Sequence, residues 1–125
     1  MSNIKDIVEQ IKANQKSYFN SHVVEGKVKM PVKDLVANYP VINISAIDLF
    51  KTDEYGDLIP VNIVEEEDGY FYAPTLLKNL LLKVIELAGS VEIVNDMLER
   101  APLEVKWYIR KSKKHPDIEY IYVKL

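Results

Sequence analysis

Two runs near the end of the chain, LEVKWYIR (Leu103–Arg110) and IEYIYVKL (Ile118–Leu125), alternate between aliphatic residues and polar or aromatic ones. Successive side chains of a strand point to opposite faces, so a period of two predicts two strands that are each apolar on one side. The loop KSKKHPD (Lys111–Asp117) joins them. We therefore predict a terminal antiparallel hairpin whose apolar face must be buried on a core.

Pairing Arg110 with Ile118 fixes the other partners of this hairpin. One face then pairs Trp107 with Ile121, Val105 with Val123 and Leu103 with Leu125. The other face pairs Tyr108 with Tyr120, Lys106 with Tyr122 and Glu104 with Lys124. A slip of two residues would change the partners but keep the faces. We call the surface formed by Lys106, Tyr108, Arg110, Tyr120, Tyr122 and Lys124 the tyrosine face.

The remaining elements suggest a strand-rich fold with inserted helices. The 125 residues fit one domain, in which we predict a helix over 1–21, three strands within 22–74, a helical insertion over 75–100 and the hairpin over 103–125. The first strand region includes Val23–Val36, and turns are predicted at Thr52–Asp57 and at EEDG (Glu66–Gly69).

The helical insertion has recognisable ends. Thr75 is predicted to cap its first helix, Gly89 to end that helix and Ser90 to cap the next one. A helix that follows three strands and precedes two more is the element order of the OB-fold, a five-stranded Greek-key barrel. We therefore predict such a barrel with an additional N-terminal helix.

The tyrosine face is suited to single-stranded nucleic acid, because unpaired bases stack on tyrosine rings while lysine and arginine contact phosphates. Lys111, Lys113 and Lys114 in the loop would add positive charge, and Tyr70 and Tyr72 would extend the stacking surface. The net charge of −3 is unevenly distributed, with six basic and three acidic residues between Ala101 and Leu125. Such segregation permits a positive face on an acidic protein.

Three other interpretations of the terminal hairpin remain open. Tyrosine pairs also stabilise sheets without any ligand, and the rings could pack under the N-terminal helix. The same face could be a subunit interface in a phage structural or adaptor protein. The hairpin could also be the wing of a winged-helix protein that binds duplex DNA, although Glu92, Asp96 and Glu99 oppose a single Arg100 in its recognition helix.

Other chemistry has little support in the sequence. The chain has no cysteine and no glycine-rich phosphate loop, and His22 and His115 are isolated. Asp53, Glu54 and Asp57 lack the spacing of an EF-hand and fit a solvated turn. We therefore predict a protein that is not an enzyme and has no metal or cofactor. With no signal peptide or membrane span evident, we expect a soluble, cytoplasmic protein.

The segments YFYAPTLLKNLL and VKWYIRKSKKHPDIEYIYVKL, in this element order, resemble the small OB-fold single-stranded DNA-binding proteins of lactococcal-type bacteriophages. The resemblance covers the chain from about Val23 onwards. It implies a replication or recombination protein of the host cytoplasm that binds single strands without sequence preference, as a dimer or tetramer, and cooperates with a recombinase. The single-strand-binding proteins of bacterial cells end in a flexible acidic tail that recruits partners. Since this chain ends in YIYVKL, we expect it to recruit partners through its folded surface.

Overall fold

The computed structural model describes residues 4–5, 21–115 and 117–125. The helix predicted over 1–21 falls outside this part of the chain except for Ile4 and Lys5, which are helical, and Ser21, which is not. Within the described part, none of the helices combines the length and apolar character needed to cross a membrane.

From residue 21 onwards, the described part of the chain contains eight strands and three helices. They are β1 (Val28–Lys29), α1 (Val32–Asn38), β2 (Val41–Ile47), β3 (Phe50–Thr52), β4 (Gly56–Leu58), β5 (Pro60–Ile63), β6 (Glu66–Tyr72), α2 (Thr75–Ala88), α3 (Val91–Arg100), β7 (Leu103–Lys111) and β8 (Glu119–Lys124). Six of the strands form one sheet in the order β1-β6-β5-β2-β7-β8, and β3 and β4 form a separate hairpin. Among these described strands, the pairing of β1 with β6 is parallel and the other pairings are antiparallel.

The sheet differs from the predicted five-stranded barrel because it has six strands and is not closed. Its end strands, β1 and β8, do not pair with each other. β1 is only two residues long and Pro31 follows it closely, which removes an N–H that further pairing would need. The protein is therefore a mixed α/β domain built on a large open sheet.

The open sheet is nevertheless strongly curved. The rings of Phe71 on β6 and Trp107 on β7 lie 5.3 Å apart, although β5 and β2 separate their strands. In a flat sheet three strand spacings would hold these strands about 14 Å apart. The two rings meet on the concave side, where α2 and α3 cover them with Leu77, Leu81, Val94 and Leu98.

The segment predicted as a first strand is mostly not one. Residues 22–26 form turns, and a helix occupies the region after Pro31. Val32, Leu35 and Val36 follow helical spacing, and Leu35 and Val36 are buried in the core. Asp34 lies in the first turn, where its charge favours the helix dipole. The segment forms a helix instead of a strand because helical spacing places both of these aliphatic side chains on the side that is buried.

The glycine of EEDG was a misleading turn signal. The structure places the turn at Val64–Glu65 and includes Glu66–Gly69 in β6. A Cβ at Gly69 would clash with the side chain of Met30, so this glycine permits the close approach of that side chain to β6. The Glu65 carboxylate fixes the turn by accepting hydrogen bonds from both the backbone N and Nδ2 of Asn43, at 2.7 and 2.8 Å.

The helix boundaries agree with the sequence except at the start of α2. Gly89 ends α2 with φ of 106°, and the Ser90 hydroxyl caps α3 by accepting from the backbone N of Ile93. Thr75, however, is the first residue of α2 and not its cap. Pro74 occupies that position and no side chain caps the helix. The turn predicted at Thr52–Asp57 does join β3 to β4.

Candidate nucleic-acid interface

The terminal hairpin is present, but its register differs from the predicted one by two residues. Tyr108 pairs with Tyr122, Arg110 with Tyr120, and Lys106 with Lys124. The predicted partners were therefore wrong: the innermost pair is Lys111 with Glu119, so the loop lies one residue further along the chain than the pairing of Arg110 with Ile118 required. The division into two faces is as predicted, since a slip of two residues preserves the alternation.

Trp107 fixes the direction in which the tyrosine face points. Its side chain is only 1% exposed, and its Nε1 donates a hydrogen bond of 2.6 Å to the carbonyl of Tyr39. Its backbone N donates to the carbonyl of Pro40. Turning β7 over would expose this indole and leave its N–H without the Tyr39 acceptor. The tyrosine face therefore points away from the core.

Tyr39 is itself held from the side of β6. Its hydroxyl donates a 2.7 Å hydrogen bond to Oε1 of Glu66. This bond stabilises the protonated phenol, and together with burial and the nearby carboxylates of Glu66 and Glu65 it raises the pKa of Tyr39 above its ordinary value. Tyr39, whose carbonyl accepts the hydrogen bond from Trp107 Nε1, is thus itself held in place through its hydroxyl.

Three cross-strand pairs form rows on the tyrosine face. The middle row is Tyr108 and Tyr122, whose ring centroids are 5.1 Å apart with planes tilted by 41°. The Arg110 guanidinium lies 5.8 Å from the centroid of the Tyr122 ring, within cation–π distance. Tyr108 and Tyr120 are 42% and 39% exposed, whereas Tyr122 is half-buried between its neighbours. Tyr108 and Tyr120 are therefore the rings available for stacking.

The row of Lys106 and Lys124 is unfavourable for the isolated protein. Like charges directly opposite each other destabilise a sheet. Both lysines are exposed, and neither forms an ion pair with any of the described residues. The acid next to this row on β7 is Glu104, which is exposed and pairs with Asn43 of β2. A bound anion would relieve the repulsion between the two ammonium groups.

The loop lysines do not all belong to this surface. Lys113 and Lys114 are exposed in the loop, which is held together by a bond from the Ser112 backbone N to the carbonyl of Ile118. Lys111 instead ends β7 opposite Glu119, on the face that Ile109 and Ile121 occupy. Alternation along β7 thus removes Lys111 from the tyrosine face.

Tyr70 and Tyr72 form a separate cluster on β6. Their rings are 5.7 Å apart, and Lys29 Nζ lies 5.2 Å from the Tyr72 ring centroid. Burial and the neighbouring Tyr70 raise the pKa of Tyr72. β5 and β2 separate β6 from the hairpin, and β5 is covered by the segment around Val23, whose carbonyl accepts from Nδ2 of Asn62. The two tyrosines therefore do not continue the tyrosine face.

Two features beside the tyrosine face were missed by sequence reasoning. Val41 on β2 lies opposite Lys106 and is 40% exposed, so the surface continues onto a third strand. On the other side, a groove of about 290 Å³ lies between α1, the start of α2 and β8, and Tyr120, Leu76 and Ile109 line it. Neither feature has a signal in the sequence, because both depend on which strands become neighbours.

The acidic turn offers no comparable site. Glu54 is exposed at the tip of the β3–β4 hairpin, where Thr52 bridges the turn through its hydroxyl to Tyr55 N and Gly56 O. Nowhere in the described ranges do three histidine or carboxylate side chains gather as metal ligands would. Comparison of the chain with protein-family models, curated proteins and solved structures finds no match.

Proposed function

We propose that this protein binds single-stranded DNA without sequence preference, through the tyrosine face. One observation supports this most strongly: two exposed rings and three cations share a surface that the buried Trp107 orients outward. Stacking on aromatic side chains contributes about 1–3 kcal/mol per base and tolerates any base, because every base has a π-face.

The rings and the cations of the tyrosine face have distinct tasks in this proposal. Tyr108 and Tyr120 stack successive bases, Arg110 orients Tyr122 and contacts a phosphate, and the Lys106–Lys124 row binds another phosphate. Lys113 and Lys114 attract the strand at the loop end. A duplex keeps its base faces stacked inside the helix, so it can engage the cations but not the rings.

We extend the proposal to the biological setting implied by the resemblance. A curved sheet, a helical segment between β6 and β7 and a terminal hairpin support an OB-related fold, although the sheet is open. In that setting the protein would protect single strands during phage replication or recombination, in the host cytoplasm, as an oligomer that cooperates with a recombinase.

Competition between single strands and duplex tests the class of ligand. A labelled oligo(dT) should bind at low salt, and unlabelled oligo(dT) should displace it far better than duplex at the same nucleotide concentration. If the strand contacts four to six phosphates, log K should fall against log salt with a slope of about −3 to −4. Equal displacement by duplex would favour the winged-helix alternative, and no binding at any salt would favour a structural or adaptor protein.

A further inference from the structure

The two end strands of the sheet are very different as edges. β1 has two residues, and Pro31 blocks its continuation. β8 has six residues, pairs with β7 without a bulge and contains no proline. Among the described residues, no strand or loop forms hydrogen bonds with the outer edge of β8. Every second residue of β8 therefore turns an N–H and a C=O away from the sheet.

An edge of this kind is a template for another strand, and natural proteins usually shorten, charge or cover such edges. On β8 the charged residues are confined to the ends, at Glu119 and Lys124. The groove beside β8 is lined by Leu76 and Ile109, which are 39% and 38% exposed, and also by Lys33 and Glu119, whose charged groups lie 3.4 Å apart. The unpaired edge of β8 and the groove beside it are thus typical of a surface that another strand would cover.

We propose that β8 pairs with β8 of a second copy of this chain, antiparallel and about a twofold axis perpendicular to the sheet. Such an isologous contact needs only one self-complementary surface. This axis leaves the same face of both sheets on the same side. Even-numbered residues of one β8 therefore lie opposite even-numbered residues of the other, and odd-numbered residues opposite odd-numbered ones. The tyrosine faces of the two copies then join into one surface.

The charges of β8 favour a register centred on Tyr122. In that register Tyr122 meets its own copy, Ile121 lies opposite Val123, and Lys124 lies opposite Tyr120 of the second copy. The last pair would place a cation near a ring, as Arg110 already lies near Tyr122 within one chain. Lysine does not meet lysine, and Glu119 does not meet Glu119. The groove around Leu76 and Ile109 is also lined by Glu119, Tyr120 and Ile121, so it borders the strand that would form this contact.

Disulfide trapping tests this interface directly, because the chain has no cysteine of its own. The variants Tyr120→Cys, Ile121→Cys, Tyr122→Cys and Val123→Cys are oxidised in the absence of nucleic acid and separated under non-reducing conditions. We expect a covalent dimer that is strongest for Tyr122→Cys. Tyr108→Cys is the matched control. It is a more exposed tyrosine than Tyr122 on the same face, but its copy would be three strand spacings away, about 14 Å, too far for a disulfide.

The molar mass of the unmodified protein, measured by sedimentation equilibrium, complements the trapping and does not depend on any variant folding. A dimer with cross-linking at β8 above the Tyr108→Cys level supports the proposal. A monomer, or a dimer in which no β8 position cross-links better than that control, overturns it. Since no nucleic acid is present, a failure here leaves the proposed binding function untouched, and the reverse also holds.

Discussion

Replacing Tyr108 and Tyr120 together with alanine is expected to weaken single-stranded DNA binding by at least about 30-fold. Each ring is an exposed surface on which one base can stack, and each stacked base contributes about 1 kcal/mol or more to the binding free energy. The loss of two such contacts corresponds to this factor in affinity. Both side chains are roughly two-fifths exposed and lie outside the core, so the fold should persist. Oligo(dT) titration measures the affinity, and thermal unfolding followed by circular dichroism measures the stability.

Tyr55→Ala is the matched control for this double substitution. Tyr55 is 68% exposed at the tip of the β3–β4 turn, beside the acidic residues and away from the hairpin. The Tyr55→Ala variant should bind oligo(dT) with the same affinity as the unmodified protein. If the double variant also binds normally, the rings do not stack bases. If it unfolds instead, the single variants Tyr108→Ala and Tyr120→Ala separate a structural role from a binding role.

The substitution Lys124→Glu is expected to change binding and stability in opposite directions. It replaces a like-charge pair with Lys106 by an opposite-charge pair, which should raise the free energy of unfolding by about 0.2–1 kcal/mol. It also removes one phosphate contact, so the salt dependence of single-strand binding should become shallower by about 0.7 in slope. Affinity at low salt should fall because a carboxylate now lies where a phosphate would bind.

Lys83→Glu provides the comparison with the same change of charge. Lys83 is exposed on α2, away from the hairpin, and its ammonium group lies 3.6 Å from Glu86. Its replacement should lower stability slightly and leave the salt slope unchanged. A lower affinity of Lys124→Glu without a change in slope, or equal losses for both variants, would show that Lys124 does not contact a phosphate.

The hairpin could be predicted because its signal is local. A period of two over nine residues of β7 and six of β8 determines which side chains share a face, and Trp107 indicates which face is buried. The register could not be predicted in the same way, since it depends on how the loop residues close. The bond from Ser112 N to Ile118 O continues the observed register into the loop, and in this register every partner is shifted by two from the predicted one.

The rest of the fold depended on contacts that a single sequence does not show. Gly69 permits close packing against Met30, although a glycine after four acidic residues is typical of a turn. Pro31 lies inside the segment predicted as the first strand region, yet it precedes the helix that buries Leu35 and Val36. Whether Tyr70 and Tyr72 would join the tyrosine face depended on the strand order, in which β5 and β2 intervene.

Intrinsic fluorescence during an oligo(dT) titration is the most direct test of where the strand lies. Trp107 is buried on the core side of β7, while the exposed tyrosines lie on the opposite side, so each reports on a different face. We predict that tyrosine emission falls as the strand binds, while Trp107 excited selectively keeps its intensity and wavelength. Binding that quenches Trp107 and leaves tyrosine emission unchanged would contradict the assignment of the tyrosine face.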